Sequence, residues 1–125
     1  MSTIEAHLGS GRLRVWGTAV LCGKDVNIAL MGGERPHIGA VSLAVYEPAR
    51  DSATVSTITV YTHRDDVCAS ACAKLAATEL KCAATVSVGI HIDHPSPEEL
   101  NTLFQTCTAC CSLLVKKILE DGMAR

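Results

Sequence analysis

ATVSTITVYTHRDDVCASACAKLAATELKCAATVSVGIHI, running from Ala53 to Ile92, changes its hydrophobic period twice. From Ala53 to Thr62, β-branched residues alternate along the chain, which predicts a strand. Either Asp65 or Asp66 can then cap a helix. Cys68, Cys72, Leu75, Ala76 and Leu80 recur at helical spacing and carry that helix to about Lys81. Its alanines predict close packing on a sheet. From Ala83 to Ile92 the alternation returns, so a second strand follows. This order allows the two strands to lie parallel, joined by a right-handed crossover.

Upstream, Arg12–Val20 sets Leu13, Val15 and Gly17 against Arg12, Arg14 and Trp16, a strand with one wet face. Cys22–Leu30 resumes strand character around a turn or bulge at Gly23-Lys24-Asp25. Ile38–Tyr46 is a third strand, and Glu47–Ser52 (EPARDS) carries the turn residues that lead to Ala53. Downstream, Ser96 is an N-cap, Pro97 suits the first helical position and Glu99 completes a capping box. That helix runs to about Glu120, with Leu100, Leu103, Phe104, Cys107, Cys111, Leu114 and Ile118 as its buried stripe and Gly122 after its end. The order β-β-β-β-α-β-α reads as an α+β fold. It is a two-layer sandwich, a mostly antiparallel sheet of about five strands with two helices on one face. Residues 1–125 make a single domain, with 1–11 expected as a mobile N-terminus. The other sheet face must be wet or covered, and positive mean hydropathy with few charges favours cover in a homo-oligomer.

Composition excludes several functions. A chain of 125 residues, 48% hydrophobic and 19% charged, is globular and long enough for a real core. Aromatics are 3%, so no platform for stacking bases exists, and a net charge of -2 without a basic run gives no footprint for nucleic acid. No apolar run approaches the roughly 20 residues of a membrane span. The N-terminus, MSTIEAHLGSGRLR, lacks the pattern of a signal peptide, so a cytoplasmic location is expected. Of the seven cysteines, Cys68 and Cys72 lie four apart, and Cys107, Cys110 and Cys111 fall in phase with the leucines of one helix face. They are expected as reduced core residues. A metal or redox cluster at Cys107, Cys110 and Cys111 is the sharper alternative, without zinc-finger spacing behind it.

The functional signal lies in GGERPHIG, Gly32 to Gly39. A hairpin does not need two glycines, Pro36, His37 and a third glycine between two strands. Gly32, Gly33 and Gly39 let backbone approach a ligand, and free N–H groups there can form an anion nest. Setting aside His7, the other histidines sit at element boundaries: His37, His63, His91 and His94. Parallel neighbouring strands would bring His63 and His91 to one sheet edge, with His37 beside them if its hairpin turns there. Arg35 or Arg64 can grip a phosphate or carboxylate in a two-pronged way. His37, His63 and His91 with Asp65 or Asp93 are the alternative set for a divalent metal. Glu98 and Glu99 read as the charged first turn of a helix.

Gly32-Gly33-Glu34-Arg35-Pro36-His37-Ile38-Gly39 resembles the Gly-Gly-x-x-Pro-His-Ile-Gly segment of the LpdD-like prenylated flavin chaperones. These are the D subunits, or accessory proteins, of bacterial gallate, vanillate and related hydroxyarylic acid decarboxylases. His63-Arg64-Asp65 resembles the His-Lys/Arg-Asp before that family's first helix, and Val88-Gly89-Ile90-His91-Ile92 its Gly-Ile-His segment. The likeness runs from Val26 to Leu103. Ala40 stands where relatives can carry an acidic residue, and the cysteine-rich helices also depart from the pattern.

The resemblance implies a non-catalytic accessory role beside a separate UbiD-type decarboxylase that uses prenylated FMN. It implies that Gly32, Gly33, Arg35, His37, Gly39, His63, Arg64 and His91 hold the flavin, phosphate end first. Stacking partners for the ring are limited to Trp16, Tyr46 and Tyr61. Two other classes compete: a small metal- or histidine-dependent enzyme, and a structural oligomeric subunit whose histidines only fasten loops.

Overall fold

The computed structural model describes residues 3–60 and 65–121, so the readings at His63, Arg64, Tyr61 and Gly122 lie outside the described residues. The elements are β1 (Thr3–Leu8), a 3₁₀ turn at Gly11–Leu13, β2 (Val15–Cys22), β3 (Asp25–Gly33), β4 (Ala40–Glu47), β5 (Ser52–Thr59), α1 (Asp65–Leu80), β6 (Ala83–His91) and α2 (Pro97–Glu120). They form the α+β sandwich expected, with six strands rather than five. The added strand is β1, whose alternating exposed and buried residues pair with β2 from Thr3↔Val20 to Leu8↔Val15. Ile4 and Ala6 point into the core, which is too short an apolar signal to stand out in sequence.

The sheet order is β1-β2-β3-β6-β4-β5, and β6 pairs parallel with β3 and antiparallel with β4. The strands flanking α1 are therefore parallel but not neighbours, contrary to the simplest crossover. The β4–β5 hairpin, closed by Arg50 N–H to the Glu47 carbonyl and by Asp51 at φ 47°, inserts β4 between them. One edge of the sheet consequently gathers the ends of β1, β3, β5 and β6, the starts of β2 and β4, and the first turns of both helices.

Both helices cover the same sheet face, α1 on β4, β5 and β6, and α2 on β1, β2 and β3, and they touch each other. The alanines of α1 do what the sequence suggested: Ala69, Ala73, Ala76 and Ala77 are fully buried and bring its backbone close to the strands. Larger side chains come from the sheet and from α2, where Leu103, Leu114 and Ile118 are buried, each stabilising by about 1.5–3 kcal/mol. Ser96 Oγ accepts from the Glu99 N–H at 3.1 Å and the Glu99 carboxylate accepts from the Ser96 N–H at 3.0 Å, the full capping box. By length and composition α2 is long and apolar enough to cross a membrane, although polar and charged residues interrupt its apolar runs. Of its expected stripe, Leu103, Cys107, Cys111, Leu114 and Ile118 are buried in the core, Phe104 is half-buried and Leu100 is exposed. The opposite sheet face leaves Val41, Leu43, Val45, Ile58 and Val60 exposed.

Candidate functional site

The GGERPHIG segment crosses from β3 to β4 over the end of β6, and the backbone fixes it there. Glu34 and Arg35 donate their N–H groups to the His91 carbonyl at 2.6 and 3.3 Å. Gly33 donates to Arg14 and Gly39 to Val88, both at 2.9 Å. These four donors are spent on carbonyls, so the anion nest expected from the glycines does not form at them. The glycines serve a different approach. A Cβ on Gly39 would lie 1.8 Å from Asp65 Oδ2, and one on Gly89 would lie 1.4 Å from the His37 carbonyl oxygen. Each is the space into which another part of the site packs. Gly33, at φ +74°, holds the left-handed turn over His91, and Gly32 lies against the Arg14 carbonyl.

His37 and His91 meet edge to face, ring centres 6.4 Å apart. His37 Nδ1–H donates to the Arg35 carbonyl at 3.1 Å, because a carbonyl only accepts. Its Nε2 lies 3.3 Å from Asp65 Oδ2, an ion pair whenever the ring is protonated. Asp65, the first residue of α1, is 2% exposed. On the outer side, Arg35 Nη2 donates to Asp93 Oδ1 at 2.6 Å. His91 Nε2 is 3.0 Å from that same carboxylate oxygen and 3.0 Å from Arg35 Nη2. One ring nitrogen cannot do both: it either accepts from Arg35 or donates to Asp93. Hydrogen bonds from His91 and then Arg35 hold the Asp93 carboxyl below its ordinary range. Arg35, Pro36, His37 and His91 line an open cleft of about 330 Å³.

Beside this cleft lies a brace that sequence reasoning missed. Arg12 grips Glu99 with both prongs, Nε to Oε2 at 3.1 Å and Nη2 to Oε1 at 2.7 Å. Its Nη1 donates to the Asp93 carbonyl at 2.8 Å, and Glu34 accepts from the Asp93 N–H at 2.7 Å. Glu99 thus caps α2 and also anchors Arg12 across 87 positions of sequence, a pairing without a local signal. The Arg12 hydrogen bond, then the Ser96 N–H, lowers the Glu99 carboxyl to about 2. The folded chain therefore sheds this proton at lower pH than the unfolded chain. The resulting stability is present above about pH 4.3 and is lost as pH falls toward the folded value. We expect the urea midpoint of the wild type to drop between about pH 4.5 and 2. In Arg12→Ala the drop should be shallower; equal slopes in both proteins would contradict the assignment.

The site thus joins Arg35, His37, His91, Asp65 and Asp93, with Gly32, Gly33 and Gly39 as its packing surfaces. As a metal centre the histidine–aspartate set is split: His37 faces Asp65 and His91 faces Asp93. Among the described residues, only Cys68, Cys72 and Cys107 bring three ligand atoms within 4.8 Å of one another. Trp16 stands at the same sheet edge under the Arg14 guanidinium, 5.3 Å from the ring centre. Tyr46 lies at the far end of β4, bonded to Asp51.

Fold and site together define a small α+β sandwich with an arginine–histidine–carboxylate cleft on its loops. Residues 9–119 match the family described as prenylated flavin chaperone LpdD-like domain, and the chain belongs to that family. No curated protein matches the sequence. Among solved structures, a chain from a chaperone complex for yeast 20S proteasome assembly is similar, with a TM-score of 0.65 at 14% identity over 93% of this chain and 95% of that one. At that identity the likeness is one of fold.

Proposed function

We propose that this protein holds prenylated FMN, or FMN, and helps load, deliver or protect it for a UbiD-type hydroxyarylic acid decarboxylase. The family supports the flavin link. The observation that carries the reading is the convergence of Arg35, His37 and His91 on one open cleft. FMN presents a phosphate, a flexible ribityl chain and a planar ring. Arg35 uses Nη2 for both Asp93 and His91, which leaves the other edge of its fork for a two-pronged grip on phosphate. The His91 ring, with Nε2 accepting from Arg35, supplies its Nδ1–H as a further donor, and His37 lines the cleft beside it. The cleft is at the small end of ligand pockets, so it takes the phosphate end and leaves the ring outward. Ile38, 63% exposed beside His37, offers the ring an apolar surface. A shallow hold of this kind suits handover. His63 and Arg64 belong to this reading as additional phosphate contacts, and the chemistry is left to the partner enzyme.

Anaerobic calorimetry with reduced FMN and prenylated FMN tests the proposal. Saturable binding is expected, with Kd raised roughly 10–100-fold in Arg35→Ala, the worth of a charged hydrogen bond. Decarboxylase made alongside this protein should carry more flavin than decarboxylase made alone. No binding by the folded wild type, or an unchanged Kd in the variant, would overturn the site; equal flavin content would overturn delivery. The exposed face at Val41, Leu43, Val45 and Ile58 favours a second reading, an oligomeric structural subunit whose histidines fasten loops. On that reading His37→Ala lowers stability and leaves flavin binding and decarboxylase loading unchanged.

A further inference from the structure

The sequence grouped Cys107 with Cys110 and Cys111, but packing regroups them. Cys110 Sγ points to the Ala6 carbonyl at 3.6 Å, and Cys111 Sγ to the Cys72 carbonyl at 3.7 Å. Cys107 instead crosses from α2 to meet Cys68 and Cys72 of α1, whose sulfurs are 3.9 Å apart. The three Sγ atoms lie within 4.8 Å of one another, and all three residues are buried. Helical spacing puts Cys68 and Cys72 on one face, and the contact between α1 and α2 supplies the third thiol. Three thiols converging from two helices form a trigonal donor set of one ligand type.

The charge balance of the pocket selects the ion. The groups that act electrically on Cys107 are the other two thiols and burial. Cys107 is raised by hydrogen bonds to Cys68 and Cys72, then by burial. For Cys68 the bond from Cys107 pulls down, but Cys72 and burial outweigh it and push the thiol up to about 12. A monovalent or divalent soft cation on three thiolates would leave net negative charge in a dry core, at high cost. A trivalent ion on three thiolates leaves none.

The geometry points to a buried site for a thiophilic trivalent metalloid, arsenite being the simplest, held by Cys68, Cys72 and Cys107 between the two helices. Binding is a ligand exchange without redox change: As(OH)₃ and three thiols give As(SR)₃ and three waters. Three As–S bonds replace three As–O bonds, and each thiol proton leaves with a hydroxide. The arsenic lone pair takes the open apex, so no fourth ligand is required. Cys68, 4% exposed and beside the exposed Thr108, is the point of entry.

The test is arsenite added to the reduced, full-length protein without oxygen, followed by gel filtration, elemental analysis and X-ray absorption. One arsenic per chain with three sulfur neighbours is expected, with a rise in melting temperature. The exposed Cys22 lies outside the trio, and Cys22→Ser should retain arsenic as the wild type does. Cys72→Ala should lose it. The sulfur count on the wild type decides the matter even if that variant fails to fold. No arsenic on folded wild type, two sulfur neighbours, undiminished retention in Cys72→Ala, or displacement of arsenic by equimolar Cu(I) would overturn the inference.

Discussion

Gly89→Ala should lower stability by ~3 kcal/mol or more, a fall in melting temperature of roughly 10 °C. The cause is geometric. A Cβ at this point of β6 would sit 1.4 Å from the His37 carbonyl oxygen, 2.2 Å from its carbon and 3.0 Å from its nitrogen. These are backbone atoms, so no rotamer change relieves the clash, and the crossing strand of GGERPHIG must lift off β6. Lifting it withdraws His37 from Asp65 and opens the cleft. Gly11→Ala provides the contrast. That glycine has φ +59° but no heavy atom near its Cβ position, so its cost should stay near 1 kcal/mol or below. Urea unfolding of both variants checks this, read at unchanged m. A Gly89→Ala protein that melts with the wild type would refute the close approach.

Asp65→Ala should cost about 2–3 kcal/mol, and Asp65→Asn less. Three effects combine in the alanine variant. The first turn of α1 loses a negative charge that its N–H groups favour. His37 Nε2 loses the carboxylate 3.3 Å away. A hollow opens against Gly39, into which the carboxylate now packs. Asparagine keeps the volume and surrenders the charge, so the gap between the two variants separates packing from electrostatics. Without the Asp65 carboxylate, the His37 ring should also be held less firmly in its orientation. Flavin affinity in the asparagine variant should then fall while the fold persists. Denaturation midpoints and calorimetry on the same samples test this, and an Asp65→Ala protein as stable as the wild type would sink the account.

Both predictions concern residues whose importance is tertiary. Asp65 is legible as an acidic residue at the start of a helix and as a candidate ligand; the structure places it inside the first turn of α1 rather than at the cap. That it is buried under Gly39 and facing His37 is not legible. Gly89 sat inside a predicted strand as a small residue, and only the path of His37 over it gives it meaning. The glycines of GGERPHIG are expected where backbone meets a ligand; in the structure their Cβ positions face the protein's own backbone and the Asp65 carboxylate. Arg12 lay within a predicted strand and Glu99 in a capping box. Their two-pronged pairing joins segments that share no local pattern.

Periodicity, turn residues and the Ser96–Glu99 capping box act over a few neighbouring positions, so the strands β2 to β6 and both helices are legible in the sequence. The small-residue face of α1 and the α+β class are legible in the same way. The tertiary structure decided the rest: β1 as a sixth strand, β4 inserted between β5 and β6, Arg12 on Glu99, and Cys107 with Cys68 and Cys72 rather than with Cys110 and Cys111. Each of these depends on the register and order of strands across the sheet. Those are set by the collective burial of one face against two helices, and no short stretch of sequence contains that information.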